Sequence, residues 1–300
     1  MSRGIGARPV LVVALAALTA LSAFEASAAK ATRKKTATGQ SSQLVDAVLQ
    51  AKTLLAQGNR KLALEQLDKA KELAKTKADQ KELAAKKILF AQQFLTSEAF
   101  QRYQESKGLA EQSRWEECLR ELDSVNERDQ DNLLVLKLRG QCEFAAKRYE
   151  PAAVTLKRVL AIVPSDSETS FALARVALAQ KNAGEALSTL ADVEPSTSLE
   201  SEQQTILRAH ALEMLEKPAQ AADLLREDQE RHLDHIEVIY ELGMLYVRMT
   251  GRDWQARKLL SLFITRCKRL KDTELKARKF DLLLPEAQAT LNAIDKRLGV

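Results

Sequence analysis

Histidine and cysteine are the side chains of this 300-residue chain best suited to metal or redox chemistry, and it has three of each. His232 and His235 stand three residues apart and flank Asp234, a spacing that can set two ligand groups on one face of a helix. Two ligands without a third or fourth fall short of a zinc site, so the stretch reads as a solvated helix end and no metal is expected. His210 has no such neighbour. The sequence offers no nucleophile elbow, phosphate-cradling glycine loop, paired-cysteine metal spacing or His-Glu-x-x-His helix. Scattered Asp and Glu are what exposed helix faces carry, and no pair among them is marked for acid and base roles. No catalytic residue and no cofactor is expected, so function must rest on a surface.

That surface is built by repetition. Cys118, Ala152, Ala186, Ala221 and Ala256 follow one another at steps of 34, 34, 35 and 35, and Leu122, Leu156, Leu190, Leu225 and Leu260 keep the same steps four residues later. Ser106, Gly140, Ala174 and Ala209 precede their small partners by 12, and Gly243 precedes Ala256 by 13. A period of this length marks a helical solenoid, in which each unit buries its apolar face against the next. Small residues let two antiparallel helices of a hairpin approach closely, and the leucine one turn later fills the gap.

The period resembles the tetratricopeptide repeat. In residues 133–164, Gly140 holds the small position of the first helix, Tyr149 the aromatic, Ala152 the small position of the second, and Pro164 closes the unit. Trp115 and Trp254 are placed in the aromatic slot elsewhere, and Leu242, Gly243 and Tyr246 reproduce the first-helix spacing. Departures are Ala183 and Pro218 for the aromatic, Cys118 for the alanine, and Asp228 where an apolar residue is usual. The fold class implied is all-α: a right-handed superhelical α-solenoid of stacked helix-turn-helix (TPR-like) repeats. Proline inside a helix costs about 3 kcal/mol, so placement is an independent test. Pro151 and Pro218 fall at starts of second helices, Pro164 and Pro195 at repeat ends, and Pro285 is read as opening the final segment.

Five repeats are expected over residues 99–272, preceded over 44–98 by a helical hairpin plus an extra helix and followed over 273–300 by capping helices. Leu83, Lys87, Phe90 and Phe94 share one side of the extra helix, Thr96 or Ser97 can cap the next, and whether 79–112 is one rod or two stays open. Ala287, Leu291, Ile294 and Leu298 form the stripe of a terminal cap. Residues 1–28 read as a signal peptide: Arg3 and Arg8, an apolar run from Val10 to Leu21, and Ala26-Ser27-Ala28 with cleavage after Ala28. This predicts a periplasmic or secreted protein with no transmembrane span after cleavage.

Without Arg3, Arg8 and Glu25 the 46 basic and 41 acidic residues fall to 44 and 40. Residues 29–43 hold Lys30, Arg33, Lys34 and Lys35 and no acid, which leaves the body neutral. The pI near 9.0 therefore reflects a basic linker, and no nucleic-acid face is expected. The linker reads as a solvated tether, with membrane or cell-wall contact through its four bases as the alternative. Cys118 falls in the second helix of one repeat and Cys142 in the first helix of the next, where a bridge is geometrically open. Cys118 also reads simply as a buried small residue, and Cys267 has no evident mate.

In this repeat family partners lie on an inner wall built from first helices. The corresponding positions here are Phe100, Tyr103, Lys107, Leu134, Lys137, Gln141, Phe144, Phe171, Arg175, Leu178, His210, Tyr240, Met244 and Arg248. Rings supply contact area and cations supply direction, which suits a protein or peptide partner with apolar anchors and acidic groups. Phe144, Phe171 and Leu178 can instead belong partly to the core. The reading is an exported, non-catalytic adaptor of a bacterial envelope assembly such as a pilus, secretion, motility or outer-membrane machine. Its alternative is a structural envelope protein attached through the basic tail.

Overall fold

The structure, a computed structural model, describes residues 42–125 and 129–300. The signal peptide, its cleavage point and the four basic linker residues lie outside the described residues. Among those described, no helix is long and apolar enough to cross a membrane and no strand occurs. Two compact units divide between Leu95 and Thr96.

In the first unit, residues 42–56 form α1, Arg60–Ala70 form α2, and Lys77–Gln92 form α3 after a short 3-10 turn at Lys71–Leu73. Helix thus begins by residue 42, within the segment expected to be linker. Ala51, Ala63 and Leu67 are fully buried where α1 and α2 pack. Thr76 opens α3 with a capping box: its hydroxyl accepts from Asp79 N–H, and the Asp79 carboxylate accepts from Thr76 N–H. Leu83, Lys87 and Phe90 point inward, and the Lys87 ammonium reaches both Asp68 oxygens at 2.8 Å. The neighbouring lysines Lys87 and Lys71 hold the Asp68 carboxyl below its ordinary range against the opposing effect of burial.

The second unit is five hairpins and a cap. The pairs are α4 (Ser97–Glu111) with α5 (Trp115–Asp123), α6 (Leu133–Ala145) with α7 (Tyr149–Ile162), α8 (Ser167–Ala179) with α9 (Ala183–Ala191), α10 (Ser198–Met214) with α11 (Pro218–Arg231), and α12 (Ile236–Arg248) with α13 (Asp253–Cys267). A short α14 (Asp272–Ala277) leads to α15 (Phe280–Leu298). The stretch 79–112 is therefore two helices, broken before Thr96, whose hydroxyl caps α4 by accepting from Ala99 N–H. Thr96 is pinned in turn by the buried Asp129 carboxylate, which accepts from both its N–H and its hydroxyl at 3.1 Å.

The repeated small residues are the contact points. Ser106, Ala174, Ala209, Cys118, Ala152, Ala186, Ala221 and Ala256 are fully buried, and the five following leucines are at most 1% exposed. A Cβ on Gly140 would stand 2.7 Å from Cδ2 and 3.0 Å from Cγ of Leu156; on Gly243 it would meet Leu260 at 3.0 and 3.1 Å. Glycine at these two places is thus a requirement of helix spacing. The turns repeat as well: Ser113, Lys147, Lys181 and Glu216 adopt left-handed backbone at φ 59 to 61°, and Gly251 does so at φ 76°. After the first four of these, the next residue's N–H bonds back to the first helix, as Arg114 to Leu109 and Arg148 to Glu143 do, which satisfies its last carbonyls.

Two expectations need correction, and one open alternative closes. Pro285 does not open its helix but lies inside α15, because burial of Phe280 against Phe263 extends the helix upstream of it. Trp254 does not fill the aromatic slot; it is 58% exposed, one position displaced by the longer turn of the last repeat, and lies against Arg257. Tyr149 does pack inward, on Phe144, with centroids 5.9 Å apart. Cys118 and Cys142 are joined in a disulfide that staples α5 to α6 across a repeat junction, so Cys118 is more than a small residue. Cys267 stays a buried thiol, its pKa pushed up to about 11 by burial.

Cap and last hairpin share one core, with Ala287 and Ile294 buried and Leu291 and Leu298 packed beside them. The pairs Arg257–Asp295 and Arg297–Asp253, both at 2.6 Å, flank that contact.

Gly140→Val should lower stability by about 2 kcal/mol through overpacking against Leu156, whereas Gly108→Ala, which meets nothing within 4 Å, should raise it by up to about 1 kcal/mol. Urea denaturation of both variants checks this, and similar destabilisation by the two would disprove the spacing argument. Reducing the Cys118–Cys142 bridge, which closes a 24-residue separation, should remove about 3 kcal/mol. The shift in urea midpoint between oxidised protein and the Cys142→Ala variant reads it.

Candidate functional site

First helices α6, α8, α10 and α12 stand side by side through the second unit, while successive second helices touch only weakly. The first-helix side is therefore the closed, inner side of the stack. There Phe144, Arg175, Leu178, Gln203, Ile206, Leu207, His210, Glu237 and Glu241 line a cavity of about 350 Å³.

The floor is apolar: Ile206 and Leu207 are each 6% exposed, with Phe144 and Leu178 beside them. Charged groups rise from it. His210 Nε2 lies 3.0 Å from Glu241 Oε2. Burial disfavours the imidazolium, but the hydrogen bond and charge of Glu241, with Glu213 behind, outweigh it and raise the His210 pKa. Arg175 makes no hydrogen bond or ion pair among the described residues, and burial pulls its pKa down although Glu237 and Glu168 favour its charge. The Glu237 carboxyl is pushed up to about 7, first by burial and then by the like charges of Glu202 and Glu241. Behind it Glu202, 1% exposed, accepts from Glu237 N–H at 2.7 Å and is paired with Arg278.

Four of the fourteen positions carried over from the repeat resemblance, Phe144, Arg175, Leu178 and His210, come together at this cavity. Phe171 and Tyr240 do not face it. Phe171 is 1% exposed in the core of α8 and α9, and Tyr240 packs on Phe263 at 5.1 Å and donates to Glu286 at 2.8 Å. Met244 is partly buried against the last core. Lys137 is committed to Asp166 at 2.5 Å and Glu168 at 3.3 Å, Arg248 to Glu213 at 2.6 Å, and Lys107 to Glu111 at 3.9 Å. Leu134 and Tyr103 are half-buried, and Phe100 and Gln141 are exposed.

Gln203, Ile206, Leu207, Glu237 and Glu241 were missed by sequence reasoning. The signal was present: Glu237, Glu241, Met244 and Arg248 recur at helical spacing, so continuing the α12 stripe one turn at a time toward its start reaches both acids. A second correction concerns His235, which is no solvated helix end but is 1% exposed, with its ring nitrogens near Asp228 and Ser198. Asp228, the departure from the repeat pattern, is the buried partner.

Residues 143–209 match a family model described as tetratricopeptide repeat. No curated protein matches the chain. Among solved structures, MamA (41-end) from Desulfovibrio magneticus RS-1 is similar at 18% identity over 60% of this chain and 99% of that one, with TM-score 0.49. A thermophilic TPR protein in Thermus thermophilus is similar at 18% identity over 62% and 99%, TM-score 0.46. A tetratricopeptide repeat protein from Parabacteroides merdae ATCC 43184 is similar at 12% identity over 84% and 92%, TM-score 0.48.

Glu237 titrates higher folded than unfolded, so the folded state holds an extra proton between the ordinary carboxylate range and about pH 7, and stability falls as pH rises through that window. His210, also raised, contributes stability that is full below its unfolded pKa and is lost as pH rises through its folded pKa. Glu237→Gln should therefore raise stability at pH 8 by on the order of 2 kcal/mol and change it little at pH 4. Urea midpoints at the two pH values check the difference; an equal effect at both contradicts the burial of this carboxyl.

Proposed function

We propose that this chain, a member of the tetratricopeptide repeat family, is a non-catalytic scaffold that holds an extended segment of a partner protein against its inner wall. The observation that supports this most directly is Arg175. A half-buried guanidinium with no ion-pair partner among the described residues stands at the edge of an apolar cavity. Desolvation of such a cation has already been met in folding, so an incoming carboxylate gains a charge-assisted, bidentate contact at reduced extra cost. Phe144, Leu178, Ile206 and Leu207 offer the contact area for an apolar anchor beside it.

The partner segment is thus acidic and apolar together. Export through residues 1–28 belongs to the proposal, and the Cys118–Cys142 bridge is in keeping with it, since disulfides persist in oxidising compartments. The setting proposed is a bacterial cell-envelope assembly, reached by an exported adaptor.

Phage-displayed peptides selected on the full chain should converge on sequences that pair Asp or Glu with a large apolar residue. Arg175→Glu should weaken the selected peptides at least about tenfold with helical circular dichroism unchanged. Lys137→Glu, at a lysine already held by Asp166, should change affinity far less. Equal affinity for wild type and Arg175→Glu would refute the assignment of this wall.

A further inference from the structure

The turn between α11 and α12 carries a cluster that the inner wall does not use. His235 Nδ1 lies 2.6 Å from Asp228 Oδ2, and the other Asp228 oxygen accepts from the Thr205 hydroxyl at 3.2 Å. A buried carboxylate behind the ring places the proton on Nδ1 and leaves the lone pair on Nε2. Nε2 faces the start of α10, where Ser198 Oγ lies 3.0 Å away and also against Asp234, so the single hydroxyl hydrogen serves one of these two acceptors at a time. His232 stacks on His235 with centroids 4.6 Å apart. One ligand atom each from His232, Asp234 and His235 lies within 4.8 Å of the others. The turn is braced by His232 N–H donating to Asp228 O at 2.8 Å and by Arg266 donating to the Leu233 carbonyl.

We infer that His232, Asp234 and His235 form a binding site for a divalent transition-metal ion of the zinc class. Two imidazoles and a carboxylate suit zinc and its neighbours, whereas magnesium and calcium favour all-oxygen sets. The Asp228–His235 pair is the outer-shell arrangement that orients a ligating imidazole and raises its basicity. Zinc bonds of about 2.1 Å bring ligand atoms within about 4.2 Å of each other, so small rotations are needed. His232 and Asp234 are exposed, so the stacked ring of the one and the Ser198-bound carboxylate of the other can be drawn to the metal, while His235 is held fixed. Three protein ligands leave a coordination position to water or to a donor from outside.

The same atoms outline a serine–histidine–aspartate relay through Ser198, His235 and Asp228. Asp234 argues against it. Its carboxylate accepts the hydrogen bond of the Ser198 hydroxyl and would stand beside any oxyanion formed there, where catalysis needs donors. Bound to a cation, that same charge becomes a ligand.

The tag-free full chain, stripped with chelator and titrated with zinc chloride by calorimetry, should bind one zinc ion and retain it through gel filtration. His232→Ala and Asp234→Asn, both at exposed side chains, should weaken zinc at least about tenfold with melting of the metal-free protein unchanged. Zinc bound equally by wild type and both variants, or no zinc retained, overturns the site. Labelling of Ser198 by a fluorophosphonate probe in protein that retains no zinc assigns the relay in its place and overturns it equally.

Discussion

The close approach of paired helices at positions of minimal side-chain volume is the constraint on which the second unit depends. At Gly140 and Gly243 there is no room for one further carbon, and the leucine that forbids it is the one that seals the same contact from the second helix. Each sealed leucine is worth about 1.5 to 3 kcal/mol when fully buried. In a stack whose stability is a sum over neighbours, the interaction repeats at five places with little variation. The left-handed turn residues follow from it, since a short, tightly closed turn is what lets two helices return at that distance.

Chemistry gathers where the repeat rule is broken. Asp228 stands at an apolar position and exists to hold His235, with Thr205 taking its second oxygen. Glu202 is buried and answered by Arg278, which comes from beyond α14 and lies over the Phe280 ring at 4.5 Å. Apart from Arg278, which belongs to the cap segment, these polar groups sit in the last two hairpins, where the terminal cap packs on the last of them. A buried charge left without its partner would be destabilising by several kcal/mol. The cap therefore completes an electrostatic arrangement as well as an apolar one.

Hairpins, their small residues and the stripe of the terminal helix were legible in the sequence because each depends on contacts within one period. Wall residues were less so. Phe171 and Tyr240 share the outward spacing of Arg175 and Met244, yet their rings are drawn into the core by packing that spacing does not reveal, as Phe263 and Glu286 do for Tyr240. The burial of His235 was hidden for the same reason, since Ser198 and Asp228 reach it from another hairpin. Pro285 shows the limit of a local rule: a proline is tolerated inside α15 where an aromatic anchor ahead of it gains more from burial. The Cys118–Cys142 pairing was open geometrically but depended on how closely α5 and α6 meet, which spacing alone does not determine.

The charge state of the inner cavity follows from counting which carboxylates are answered. Glu241 is bound by His210, and Glu202 is bound by Arg278 and by the Glu237 N–H. Glu237 has no ion pair among the described residues, so burial and its two anionic neighbours decide, and it keeps its proton to about pH 7. Arg175 attracts Glu237 but forms no hydrogen bond or ion pair with it among the described residues. A donor and an acceptor function thus face one cavity without satisfying each other. That is the arrangement a polypeptide backbone or side-chain carboxylate is able to satisfy, because it brings acceptors for the guanidinium and donors for the carboxyl in a single extended segment.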